Sequence, residues 1–168
     1  MSRISLSTSG YFYLLIGLLI LSACQEKSNS NTTESADTSI SFSQKSAKET
    51  GIDSNNHIEE KYETFFNKYA YIYTGGGVAV GDLNNDGLQD VYFTGNEVSD
   101  KLYINKGNFK FEDVTEAAIS SGQEGWHNGV TILDINGDGW KDIYVCRGGW
   151  KETPKERRNL LYINNGNG

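Results

Sequence analysis

The chain has 168 residues, about the size of one domain, with 22 acidic against 15 basic residues and a net charge of −7. That balance argues against a nucleic-acid partner, which needs a basic surface. Much of the acidity is concentrated in two short loops, which reads as cation-binding capacity rather than general solubility.

The N-terminus has the layout of a secretory signal, with Arg3 near the start and an apolar stretch from Tyr11 to Leu21. The stretch is too short to span a bilayer, which takes about 18 or more apolar residues. It ends in Leu21-Ser22-Ala23-Cys24, which resembles the lipobox of bacterial lipoproteins. That resemblance implies a signal peptide over residues 1–23, cleavage before Cys24, and lipidation of Cys24 as a membrane anchor. Stable anchoring requires more than one acyl chain. Gln25 and Glu26 follow, and by the same analogy the destination is the bacterial outer membrane or cell surface. With Cys24 lipidated, Cys146 is the one cysteine left and no intramolecular disulfide is available. Its setting, Ile143-Tyr144-Val145-Cys146, predicts a small buried hydrophobe.

Residues 24–50, rich in Ser, Asn and Thr, read as a flexible tether. Residues 51–74 form an aromatic leader containing Tyr62, Phe65, Phe66, Tyr69, Tyr71 and Tyr73. Within it, Lys61 to Lys68 suits a short helix, and Tyr69 to Thr74 alternates as a strand would. The leader is expected to pack against the repeated region C-terminal to it.

From residue 75 to 168 the chain repeats. Windows 77–94 and 129–146 share eight of eighteen residues, among them Gly77/Gly129, Asp90/Asp142 and Tyr92/Tyr144. Leu102-Tyr103-Ile104-Asn105 returns as Leu161-Tyr162-Ile163-Asn164, at an offset of 59 rather than 52. The second unit therefore carries a seven-residue insertion, most naturally in the polar stretch Gly148 to Asn159 around Pro154. Within the first unit, strands are expected over Gly77–Gly81, Val91–Thr94, Lys101–Asn105 and Phe109–Val114, separated by Gly, Asn and Asp turns. Four short antiparallel strands in a repeat of about fifty residues describe a β-propeller blade, so the fold class is all β.

Between the first two strands of each unit lies D-x-N-x-D-G-x-x-D, at Asp82–Asp90 and Asp134–Asp142. Ordinary turn chemistry explains one such loop. It does not explain two copies that each crowd three aspartates and an asparagine into the same places, where the carboxylates repel one another without a cation. An EF-hand needs flanking helices and a Glu at loop position 12; Phe93 and Val145 stand there, and both flanks are strand-like. The pattern suits a Ca²⁺ loop within a β-hairpin, since Ca²⁺ takes about six to eight oxygens. The ligands would be Asp82, Asn84, Asp86, the Leu88 carbonyl and Asp90. In the second loop they are Asp134, Asn136, Asp138, the Trp140 carbonyl and Asp142. Extracellular Ca²⁺ modules bind at about 10⁻⁴ to 10⁻³ M, which suits a structural ion.

Val78-Ala79-Val80-Gly81-Asp82 through Asp90-Val91 resembles an FG-GAP (VCBS-type) repeat, the blade unit of integrin-α-like propellers. Together with the lipobox, the chain is similar to secreted VCBS-repeat lipoproteins of bacteria, and to the N-terminal part of proteins that end in an ASPIC/UnbV region. The resemblance implies Ca²⁺ loops that rigidify blades, and surfaces used for adhesion or for recognition of an extracellular protein or glycan. Propellers close with about four to eight blades. One full unit and most of a second are present, so an incomplete ring is expected, completed by the remaining blades of a longer parent chain. The expected function is non-enzymatic; the competing one is a secreted propeller enzyme acting on polysaccharide. For that, His57 and His127 are the available histidines, and neither has an evident nucleophile partner. Trp126, Trp140 and Trp150 are expected to serve in packing rather than in stacking on sugars.

Overall fold

The computed structural model describes residues 40–62, 65–119, 125–149 and 154–167. The expected signal peptide, Cys24 and the tether as far as residue 39 lie outside the described residues. Among the described residues, no helix is long and apolar enough to cross a membrane. Ser43 begins a compact unit that contains every strand of the described residues.

The chain is all β, with two antiparallel sheets. The first contains β1 (Val78–Gly81), β2 (Asp90–Phe93), β3 (Lys101–Asn105) and β4 (Phe111–Asp113), paired in chain order. The second contains β5 (Trp126–Leu133), β6 (Asp142–Gly148) and β7 (Leu160–Tyr162). Among the described residues three single-turn helices accompany them: α1 (Ala47–Thr50), α2 (Thr115–Ala118) and α3 (Pro154–Arg157). Three strands of the first unit fall within a residue of expectation. The fourth is shorter, because Gly107, Asn108 and Phe109 take positive φ of 80°, 51° and 57° to close the β3–β4 hairpin. Lys110 N–H returns to Gly107 O at 3.0 Å. Of the seven inserted residues, three lengthen β6 relative to β2 and four lengthen the β6–β7 connection, which holds α3.

The two sheets pack through a face that period-2 alternation predicts. Tyr92 and Leu102, opposite one another in β2 and β3, are buried with Leu83 and Ile119 against Ile143 and Val145 of β6. Their counterparts in the second sheet, Tyr144 and Leu161, are also a register pair but lie on the far side. Leu161 is 44% exposed where Leu102 is 5%, and Ile135 is 49% exposed where Leu83 is 8%. Alternation also corrects the expectation for Cys146. Ile143 and Val145 take the core face of β6, so Cys146 turns outward and is exposed.

The leader packs along the first sheet, but not with the expected local structure. Tyr69–Thr74 is a run of turns rather than a strand, with Ile72 N–H on Tyr69 O and Thr74 N–H on Tyr71 O, each at 3.1 Å. Ile72 alone is driven fully inside, leaving Tyr71 and Tyr73 exposed. The described part of Lys61–Lys68 is likewise turns, with no helix among the described residues. Asn56 and Asn96 exchange hydrogen bonds at 2.6 and 2.9 Å, and Tyr103 donates to Asp53 at 2.8 Å. Burial, aided by that Asp53 bond, pushes the Tyr103 phenol up to about 12. Just ahead, Ser46-x-x-Glu49 forms a capping box on α1. The last residues of the expected tether are therefore structured.

A buried polar brace joins the sheets. Asp100 accepts from the Tyr92 hydroxyl at 2.7 Å and from Gly95 N–H at 2.8 Å, and its Oδ1 lies 2.7 Å from His127 Nδ1. Asp100, Tyr92 and His127 are all fully buried. Burial and the Asp100 charge push the Tyr92 phenol far up, so its proton is a fixed donor. Asn96 Nδ2 donates to His127 O at 2.8 Å, and His127 N–H to Gly95 O at 3.1 Å. His127 is thus an interior strand residue.

This packing has two measurable outcomes. His127→Ala removes one partner of a buried pair and should lower unfolding stability by about 3 kcal/mol in urea titrations. Asp113 titrates differently. Burial alone would raise its carboxyl, but Lys101 Nζ at 2.6 Å and the hydroxyl and N–H of Thr115 at 2.5 and 3.0 Å prevail and lower it. Its contribution is complete above the ordinary carboxylate range and is lost as pH falls through the lowered folded value. Asp113→Asn should cost less than about 1 kcal/mol at neutral pH, this pair being a third exposed, and should flatten the acid limb of stability against pH.

Candidate metal centre

Each nine-residue loop connects the first two strands of its unit, and the two share a hydrogen-bond pattern, to which the second adds one bond, from Gly137 N–H to Asp134 at 2.7 Å. In the first, Asp82 accepts from Asp86 N–H at 3.1 Å and Gly87 N–H at 2.9 Å. Asn84 Oδ1 accepts from Asp86 N–H at 3.1 Å, its Nδ2 donates to Asp86 Oδ2 at 2.9 Å, and Asp86 Oδ1 accepts from Leu88 N–H at 2.8 Å. In the second, Asp134 accepts from Asp138 N–H at 3.2 Å and Gly139 N–H at 2.9 Å. Asn136 and Asp138 repeat the remaining bonds at 3.0, 2.7 and 2.9 Å, ending on Trp140 N–H. The sixth residue has to be glycine: Gly87 and Gly139 sit at φ +84° and +89°, a region side chains disfavour.

The ninth residue is different in kind. Asp90 and Asp142 begin their strands, fully buried. Asp90 accepts from Leu83 N–H at 2.8 Å and from Asn105 N–H of β3 at 2.9 Å. Asp142 accepts from Ile135 N–H at 3.0 Å and Asn164 N–H at 2.8 Å. Burial raises the Asp90 carboxyl; its two N–H partners oppose this, and the charges of Asp86 and Asp82 add to it. The exposed carboxylates shift the other way. Leu88 N–H and then Asn84 hold Asp86 below its usual range, and Gly139 N–H leads the same effect on Asp134.

The structure therefore gathers Asp82, Asn84, Asp86 and Asp90 around one turn, and Asp134, Asn136, Asp138 and Asp142 around the other. Among the described residues, no group of three or more His, Cys, Asp or Glu side chains is set as a ready metal cage; the carboxylates close instead on backbone amides. The donor chemistry still fits a hard cation. Each loop holds three carboxylates and an amide oxygen, and carboxylate oxygens have lone pairs beyond those the N–H bonds occupy.

Sequence reading missed the asparagine of the third strand region in each unit. Asn105 Nδ2 donates to Gln89 O at 2.9 Å, and Asn164 Nδ2 to Lys141 O at 3.2 Å, each tying that strand to its own loop. Asn164 also reaches Leu83 O of the first loop at 2.7 Å, and Asn85 Nδ2 reaches Gly139 O of the second at 3.4 Å. The signal was present in the repeated Tyr-Ile-Asn, whose asparagine recurs with the loop. Of the tryptophans, Trp126 is fully buried, Trp140 is partly buried and Trp150 lies outside the described residues.

Residues 82–145 match the FG-GAP-like repeat family. The chain is also similar to integrin alpha-PS5 of Drosophila melanogaster, with 35% identity over 98 residues. That match takes in 52% of this chain and 10% of the relative, so the chain spans about a tenth of the length of the curated protein it resembles. Both similarities support an FG-GAP-like, integrin-alpha-like repeat within the chain.

Proposed function

We propose that these repeats are part of an extracellular, Ca²⁺-binding propeller that recognises a ligand without catalysing a reaction. The observation that carries this is the repetition of two acidic loops with a shared hydrogen-bond pattern within FG-GAP-like sequence. Two loops of matching build, each crowding carboxylates that repel one another, are best balanced by a cation of the same kind. Asp82, Asn84, Asp86 and Asp90, with Asp134, Asn136, Asp138 and Asp142, would hold it, and the Leu88 and Trp140 carbonyls complete the sets. The ion would supply charge neutralisation and fix the hairpins.

The similarity to an integrin alpha subunit supports a place outside the cell. Cys24, by the lipobox resemblance, anchors the chain to a membrane surface. The uncovered side of the second sheet, with Tyr144, Leu161 and Ile135, repeats the side of the first that the second sheet covers. A further blade of the same kind would complete it. The non-catalytic reading is supported by His127, which spends its ring on Asp100 in the interior.

The test is thermal melting of the full chain in EDTA and across a Ca²⁺ series. A ligand that binds only the folded state adds about 2.7 kcal/mol at a hundredfold excess over Kd, so the midpoint should climb with Ca²⁺. Asp86→Ala with Asp138→Ala should abolish that climb, and a midpoint indifferent to Ca²⁺ would refute the metal reading. Asp90→Ala should behave otherwise. It strands the Leu83 and Asn105 N–H groups, so it should lose about 2 kcal/mol even in EDTA.

A further inference from the structure

The residues entering β1 and the start of β5 border a cavity of about 450 Å³. It lies at the ends of these strands opposite the acidic loops, since Gly75–Gly77 precede β1 and Asn128–Gly129 sit early in β5. Its wall is aromatic. Tyr69 and Tyr71 meet edge to face at 5.9 Å and 65°, and Tyr69 is held from behind by buried Trp126 at 5.5 Å and 84°. Tyr71 is 66% exposed. The floor is bare backbone for a steric reason: a Cβ on Gly76 would stand 2.0 Å from Thr94 O, and one on Gly77 2.5 Å from Asn128 O. Gly75 instead faces open space.

The chemistry of the lining narrows the ligand. Tyr69, Tyr71, Thr74 and Asn128 border it, and among the described residues no charged one does. A carboxylate, phosphate or ammonium would lose hydration there with no counter-charge to replace it. A ligand with an apolar face and a rim of neutral hydroxyls matches both kinds of wall, and the volume is that of a small-molecule site. The leader also carries exposed rings outside the cavity. Phe66 and Tyr73 stack at 6.5 Å and 12°, both more than half exposed, and Tyr62 is exposed in the same leader. Exposed rings grouped in one short segment suit an interaction surface.

We propose that this cleft binds a neutral sugar ring of a glycan, its C–H face against Tyr71 and its hydroxyls on Asn128 and Thr74, with Phe66 and Tyr73 serving adjoining units. The proposal rests on the ligand-recognition reading of the repeats, for which it names a ligand class, and it does not depend on calcium. A peptide is the competing ligand, but among the described residues the cleft has no charged group to fix peptide termini or charged side chains.

The full chain is titrated with neutral oligosaccharides of glucose, mannose and galactose by calorimetry, once in Ca²⁺ and once in EDTA. Saturable binding of at least one of them is expected. Tyr71→Ala should weaken it roughly tenfold or more, equivalent to about 1.4 kcal/mol, without moving the melting midpoint, because the ring is exposed. Asn128→Ala should weaken the same sugar. The proposal is overturned if no neutral oligosaccharide binds in either buffer, or if binding survives both substitutions. It is equally overturned if gelatin peptides, and not sugars, bind in a Tyr71-dependent way. Failure of the calcium reading would show as a flat melting series and leave these titrations interpretable.

Discussion

Each unit is organised by one buried carboxylate. Asp90 and Asp142 lie in the interior with their two oxygens spent on two backbone amides, one at the start of the loop and one in the third strand region. A buried acid is costly unless its lone pairs are met, and here meeting them fixes the geometry. The loop must return to the strand, and the third strand must lie in register beside the second. The same burial raises the Asp90 carboxyl, with Asp82 and Asp86 adding to the effect.

Equivalent positions serve unequal purposes once two units are stacked. Tyr92 is a buried donor inside the Asp100–His127 brace, while Tyr144 at the matching place faces outward and accepts from Asn159 Nδ2 at 2.7 Å. Tyr103 is covered by the leader through Asp53, whereas Tyr162 closes against the first sheet. Burial and the Asp100 charge push the Tyr162 phenol up to about 12. The stack therefore has a direction, one face of each sheet meeting the opposite face of the next. On the leading side, β1 presents Val78 and Val80 more than half exposed.

What could be read from the sequence was whatever repeats or alternates. The loops, the strands of the first unit and the displaced insertion come from spacing alone, because local turn chemistry and period-2 burial decide them. Cys146 was misassigned because its apolar neighbours suggested a buried run, while the sheet enforces alternation. Tyr69–Thr74 alternates as a strand would, yet it has no ladder partner and folds into turns around Ile72. The Asp100–His127 brace was beyond reach for another reason. It joins residues 27 apart across two sheets, in a place where the repeat is not obeyed. Asn164 carries a signal within its own unit, but its reach to Leu83 spans 81 residues and only the packing reveals it.

That last distance has a consequence for how the molecule is assembled. Every ladder joins strands adjacent in the chain, and the Asp90 clamp spans only 7 and 15 residues. Contacts this local form early and fast, whereas long loops must close before distant ones can. The first unit has all its ladder partners by Asp113, before any strand of the second begins. Bonds such as Asn164 to Leu83 complete the structure last. By the same reasoning they are first to open when the units part, so amide exchange should begin at the seam between the sheets while each hairpin is still intact.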